Sequence, residues 1–139
     1  MIRTNDEFQK AKSRLKAEKD RISFQRKSLK AEGLSSAEIK RAIDPIVSFH
    51  LQLAEEVEAY ERLSRGEFGE MVNFQGLGRV LISLRIYRGL SQRDLAAKLN
   101  VHESQVSRDE RNEYHGITVS RAAVILEAMG ASLSSEVKL

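Results

Sequence analysis

The side chains in this 139-residue chain that could do covalent or metal chemistry are few, and their spacing does not suit it. Cysteine is absent, which excludes disulfides and thiolate metal sites and fits a reducing compartment. His50, His102 and His115 are scattered with no HExxH or comparable spacing, so neither a metal nor a cofactor is expected. Asp109, Glu110 and His115 are the nearest approach to a small nuclease, but adjacent helical residues point about 100° apart. No Ser/His/Asp or paired-carboxylate arrangement occurs elsewhere. The glycines of Gly76-Leu77-Gly78 follow no strand and precede no lysine-bearing phosphate-binding pattern, so they read as punctuation. Catalysis is not expected.

The informative stretch is RIYRGLSQRDLAAKLNVHESQVSRDERNEY, residues 85–114. Two short helices joined by about three residues cross steeply under three conditions. The contact residue must be small, the turn must tolerate an unusual backbone angle, and apolar residues must pin both inner faces. Ala96, Asn100, Val101 and Val106 meet those needs in order. The outer face of the second helix then carries His102, Glu103, Ser104, Ser107 and Arg108, all polar, and is free to enter a DNA major groove roughly 12 Å wide. Arg108 suits the bidentate pairing of an arginine fork with guanine O6 and N7, although an arginine here also suits a phosphate. Glu103 suits either cytosine N4 or a stabilising role at a helix N-terminus. His102 is placed to touch a phosphate or a base.

At these residues the chain resembles the Xre family of helix-turn-helix regulators, relatives of phage Cro and repressor proteins. RGLSQRDLAAKLNV followed by VSRDE is similar to that family's pattern of Gly-Leu-Ser-Gln, Asp-Leu-Ala and Val-Ser-Arg-x-Glu, over roughly residues 77–130. The resemblance implies a Cro/repressor-like bundle of four to five helices with residues 103–111 as the recognition helix. It also implies that Gln92 bonds backbone phosphate, that Glu103, Ser104, Ser107 and Arg108 face the groove, and that Arg85 and Glu110 form a buried salt bridge. Asn100 replaces the usual glycine. Asp109 replaces an apolar residue, so that either the helix is shifted slightly or Asp109 is exposed and caps something nearby.

The elements that position these residues are all helical apart from the tail. Residues 1–30 hold ten Lys or Arg against four Asp or Glu, and residues 31–70 hold four against nine. Phe8, Leu15, Ile22 and Leu29 recur every seven residues with Ala11 nearby, which predicts a long helix with a narrow apolar seam. Gly33 interrupts it. Asp44-Pro45 reads as an N-cap and first helical residue, so that a helix restarts or kinks there, with Ile46, Phe49, Leu53, Val57 and Tyr60 as its apolar face. An antiparallel hairpin of a basic and an acidic helix follows, although such charges also suit solvated faces.

Residues 64–78 lose periodicity and carry four glycines, which marks a linker and divides the chain into 1–66 and 67–139. Beyond it, helices are expected over about 77–88, from a Ser91/Asp94 capping box, over 103–111 and over 120–129, with Gly89 and Gly130 as stops. Leu133, Val137 and Leu139 alternate with polar residues, which predicts a short C-terminal strand in need of a partner, such as its copy in a second chain. The fold class is all-α: an N-terminal helical hairpin, for partner binding or dimerisation, followed by the helix-turn-helix domain.

The opening IRTNDEFQKAKSRL, the later LAEEVEAYERL and the C-terminal motif together resemble the layout of HigA-type antitoxins. That resemblance implies a repressor of its own operon, binding double-stranded operator DNA as a homodimer and neutralising an RNase toxin. The alternative is a plain Xre repressor whose N-terminal helices only dimerise. A net charge of +3 permits nucleic-acid binding without deciding it. No apolar stretch is long enough to span a membrane and the N-terminus is too polar for a signal peptide, so the expected location is the cytoplasm.

Overall fold

The computed structural model describes all 139 residues. Six helices follow in order, α1 Asn5–Ala31, α2 Ser36–Ser64, α3 Leu77–Tyr87, α4 Gln92–Leu99, α5 Glu103–Arg111 and α6 Val119–Ala128. The chain divides into two compact units, Met1–Tyr60 and Glu61–Leu139, six residues ahead of the division read from composition.

In the first unit, Thr4 accepts from the Glu7 amide to begin α1, and the acids Asp6 and Glu7 stand at its positive end. The helix ends at a reversal built on Gly33 at φ +87°, where the Leu34 amide returns to the Leu29 carbonyl and the Gly33 amide to Lys30. Ser35 and Glu38 then form a reciprocal cap: the Ser35 hydroxyl accepts from the Glu38 amide, and the Glu38 carboxylate accepts from the Ser35 amide. The second helix therefore starts at Ser36 rather than at Asp44-Pro45, and Pro45 lies inside it. Proline removes one hydrogen bond, but Ile43, 2% exposed, and half-buried Ile46 pack inward on either side of it.

The hairpin core holds Ile2, Ala11 and Val57, with Phe8, Leu15, Leu53 and Tyr60 packed against it. Phe8 stacks on Tyr60 at 4.6 Å between centroids, and His50 Nδ1 lies 3.5 Å from Glu18, which fixes the antiparallel order. Phe49 is 70% exposed and does not belong to the inner face assigned to it from sequence. The inward position in that turn belongs to His50, one residue and about 100° further on.

In the second unit, α3–α6 enclose Leu81, Ile82, Leu95, Val106 and Ile125, each 1% exposed. Gly78 is more than punctuation. A Cβ there would meet the Glu113 carbonyl oxygen at 1.7 Å, so only glycine lets α3 lie against the backbone of the loop after α5. Part of the segment read as linker also packs: Phe68 meets Tyr87 edge-on at 5.6 Å. Residues 131–139 have no regular structure, and Leu133, Val137 and Leu139 are exposed. The expected strand is not formed, because a lone strand in one chain has no ladder to join.

Candidate nucleic-acid interface

Local rules build the two helices that present the polar face. Ser91 accepts from the Asp94 amide at 3.0 Å while the Asp94 carboxylate accepts from the Ser91 amide at 2.9 Å, which starts α4. That exchange holds the Asp94 carboxyl below its ordinary range, because the Ser91 amide and hydroxyl donate to the charged form. Asn100 ends α4 in the left-handed region at φ 60°, ψ 40°, and the Val101 amide returns to Ala96. Ala96, 2% exposed, and Val106 pin the two helices together at their crossing.

His102 caps α5. Its Nδ1 accepts from the Ser104 amide at 3.1 Å and lies 2.8 Å from the Ser104 hydroxyl.

Behind α5, Arg85 and Glu110 are 2% and 0% exposed. Arg85 Nε and Nη2 donate to Glu110 Oε2 at 3.1 and 3.0 Å, and Nη1 donates to the Leu90 carbonyl at 2.8 Å. Gln92 Nε2 also donates to Glu110 Oε2, at 3.2 Å. One buried carboxylate therefore ties α3, α4 and α5 together and orients the Gln92 amide, a contact that no local pattern in the sequence announces.

Asp109 is not the exposed capping residue that one reading expected. It is half-buried and pairs with Arg121 of α6, which holds that guanidinium more firmly in its charged form. Asp109 and Glu110 are thus each committed to an arginine. Tyr114 packs beside them, and burial, reinforced by the two carboxylates, pushes its hydroxyl well above the usual range.

The helical phase set by buried Val106 and Glu110 turns Arg108 directly outward, with Ser104, Gln105 and Arg111 exposed around it. Glu103 is exposed nearer the inner edge and Ser107 is half-buried. Gln105 and Arg111 were not singled out from sequence, and the phase anchored on Val106 is the signal that finds them. Arg108 makes no ion pair; its Nε lies 3.5 Å from the Ser104 carbonyl of its own helix.

A short helix with an unneutralised arginine at the centre of its exposed arc, crossing a second capped helix, is a helix-turn-helix. Residues 81–135 match the Helix-turn-helix family model. The match takes in α4, the turn and α5 whole, and it supports a DNA-binding transcriptional regulator. Neither curated proteins nor solved structures yielded a match to the chain. No helix is long and apolar enough to cross a membrane.

Proposed function

We propose that α5 of the helix-turn-helix domain enters the major groove of operator DNA and reads base edges, with Arg108 as the principal reader. The outward, unpaired Arg108 on a helix held by the buried Arg85–Glu110 pair is the observation that carries this reading. Ser104, Gln105 and Ser107 supply neutral hydrogen-bonding groups beside it. The Gln92 amide, oriented by Glu110, is the phosphate contact at the start of α4, and His102 and Glu103 stand at the α5 N-terminus where the duplex backbone approaches. The protein acts without catalysis, as a repressor in the cytoplasm.

Replacing Arg108 by Ala should cost about 1 to 3 kcal/mol on the specific site and relax preference at one base pair, while Gln92→Ala weakens all sequences alike. Fluorescence anisotropy on operator and random duplexes over a salt series measures both. Equal losses on the two DNAs for Arg108→Ala would reduce Arg108 to a phosphate contact.

A finer reading is that the regulator is a homodimer and the antitoxin of a toxin–antitoxin pair. The separate hairpin unit and the exposed carboxylates Glu55, Glu56 and Glu58 on α2 favour it, since an acidic surface speeds encounter with a basic RNase. Co-expression with the product of an adjoining toxin gene tests it. Rescue should require residues 1–60, and rescue without them returns the protein to a plain repressor.

A further inference from the structure

The charges of α1 are sorted by flank. Lys12, Lys16, Lys19, Ser23, Arg26 and Lys30 follow one another at alternating steps of four and three residues, which sets them in one row beside the buried seam, with Lys27 at its edge. No proline or glycine interrupts Asn5–Ala31, so the row from Lys12 to Lys30 is about 27 Å long. Each of its cations is exposed and none makes an ion pair; the Lys12 ammonium lies 5.2 Å from the centre of the Phe8 ring, which leaves its charge intact. On the other flank Lys10 and Arg14 are answered by Asp6 and Glu18, at 2.8 Å each. Glu7 accepts from the Arg3 amide, and of the acids of this helix only Asp20 borders the row. At its far end Arg26 and Lys30 meet Lys40 and Asp44 of α2 around a cavity of about 420 Å³ floored by Ile39 and Ile43. There Asp44 answers Lys40 alone, at 3.4 Å.

We infer that this row is a second nucleic-acid contact, which holds the phosphate backbone of duplex DNA without reading its sequence. A duplex presents one negative charge about every 1.7 Å of its axis, so a row of this length with no acid in it meets a continuous anionic wall. Lysine dominates the row, and a flexible ammonium suits phosphate as a point charge better than it suits the fixed edge of a base. A membrane surface fits less well, because an interfacial helix inserts an apolar face and the seam of α1, at Ala11 and Ile22, is already buried. An acidic protein fits less well too, since the row offers no apolar side chain for the centre of such an interface. Both units belong to one chain, so engagement of DNA by either raises the effective concentration of the other. The choice of DNA as the partner rests on the reading of α5, but the two fail separately: α5 sets preference between sequences, whereas the row acts on all sequences alike.

The test uses the full chain and mixed-sequence duplex DNA, titrated by fluorescence anisotropy over a salt series. Lys12→Gln, Lys16→Gln and Lys19→Gln together should weaken binding at least about tenfold at low salt. They should also flatten the slope of log affinity against log salt by about 2 to 3, since each lost phosphate contact removes about 0.9. Lys10→Gln, Arg14→Gln and Arg21→Gln together remove the same charge from the other flank and should stay within about threefold of wild type. All six positions are exposed and glutamine is as good a helix former as lysine, so circular dichroism should match wild type. Failure of the α5 reading shows instead as binding without sequence preference, with the row triple still the weaker. A row triple that binds like wild type, equal losses in the two triples, or a row triple that loses phosphatidylserine vesicles while keeping its affinity for DNA would overturn the inference.

Discussion

The two units of this chain solve the same problem with different resources. The helix-turn-helix unit buries five large apolar side chains to 1% exposure and places an ion pair among them. The hairpin unit has a thin seam in which Phe8, Leu15, Leu53 and Tyr60 are only partly covered, while Phe24, Phe49 and Leu51 stand in solvent. Its ion pairs are mostly exposed, such as Lys10–Asp6 at 78% and 75% of side-chain area. A closed bundle of short helices can surround its own centre, whereas two long helices offer each other one face and leave the others open. The first unit therefore has surface to give to partners, and the second has a scaffold stiff enough to aim a reading helix.

The largest expected effect separates the two kinds of ion pair. Arg85→Ala leaves Glu110 charged and buried and should cost about 3 to 5 kcal/mol in chemical denaturation. Arg14→Ala removes the Arg14–Glu18 pair on the surface of α1 and should cost no more than about 1 kcal/mol. Comparable losses would erase the contrast.

The next effect sharpens the description of the hairpin. Ile43→Ala should cost about 2 to 5 kcal/mol, because it empties a position 2% exposed, whereas Phe49→Ala should stay within about 0.5 kcal/mol. The reverse order would turn α2 about its axis and restore the inner face read from sequence.

The smallest effect is a pH dependence in the reading unit. The Asp94 carboxyl titrates below its ordinary value of 3.8 in the folded protein, so its cap contributes stability that is fully present above that value and is lost as pH falls below it through the lower folded value. Asp94→Asn should melt below wild type at neutral pH and converge with it near pH 2, so its acid limb between about pH 5 and pH 2 is shallower. An acid limb as steep as that of wild type would assign the effect elsewhere.

What the sequence determined by itself are the features set by short-range rules. The Ser91/Asp94 box, the left-handed Asn100, the glycine stops after α3 and α6 and the bounds of α5 follow from hydrogen bonds and dihedral preferences spanning a few residues, which local residue types dictate. The same rules were legible at Ser35 and Glu38, but Asp44-Pro45 offered a competing start whose cost the packing of Ile43 and Ile46 offsets. Tertiary structure alone decided the rest. Asp109 has a role only because α6 brings Arg121 to it, Gly78 is required only because the backbone at Glu113 passes over it, and Gln92 is oriented only by a carboxylate on another helix. The tail shows the limit most plainly: alternation marks Leu133 to Leu139 as competent to be a strand, but a strand exists only where another backbone supplies its hydrogen bonds, and no periodicity can supply that neighbour.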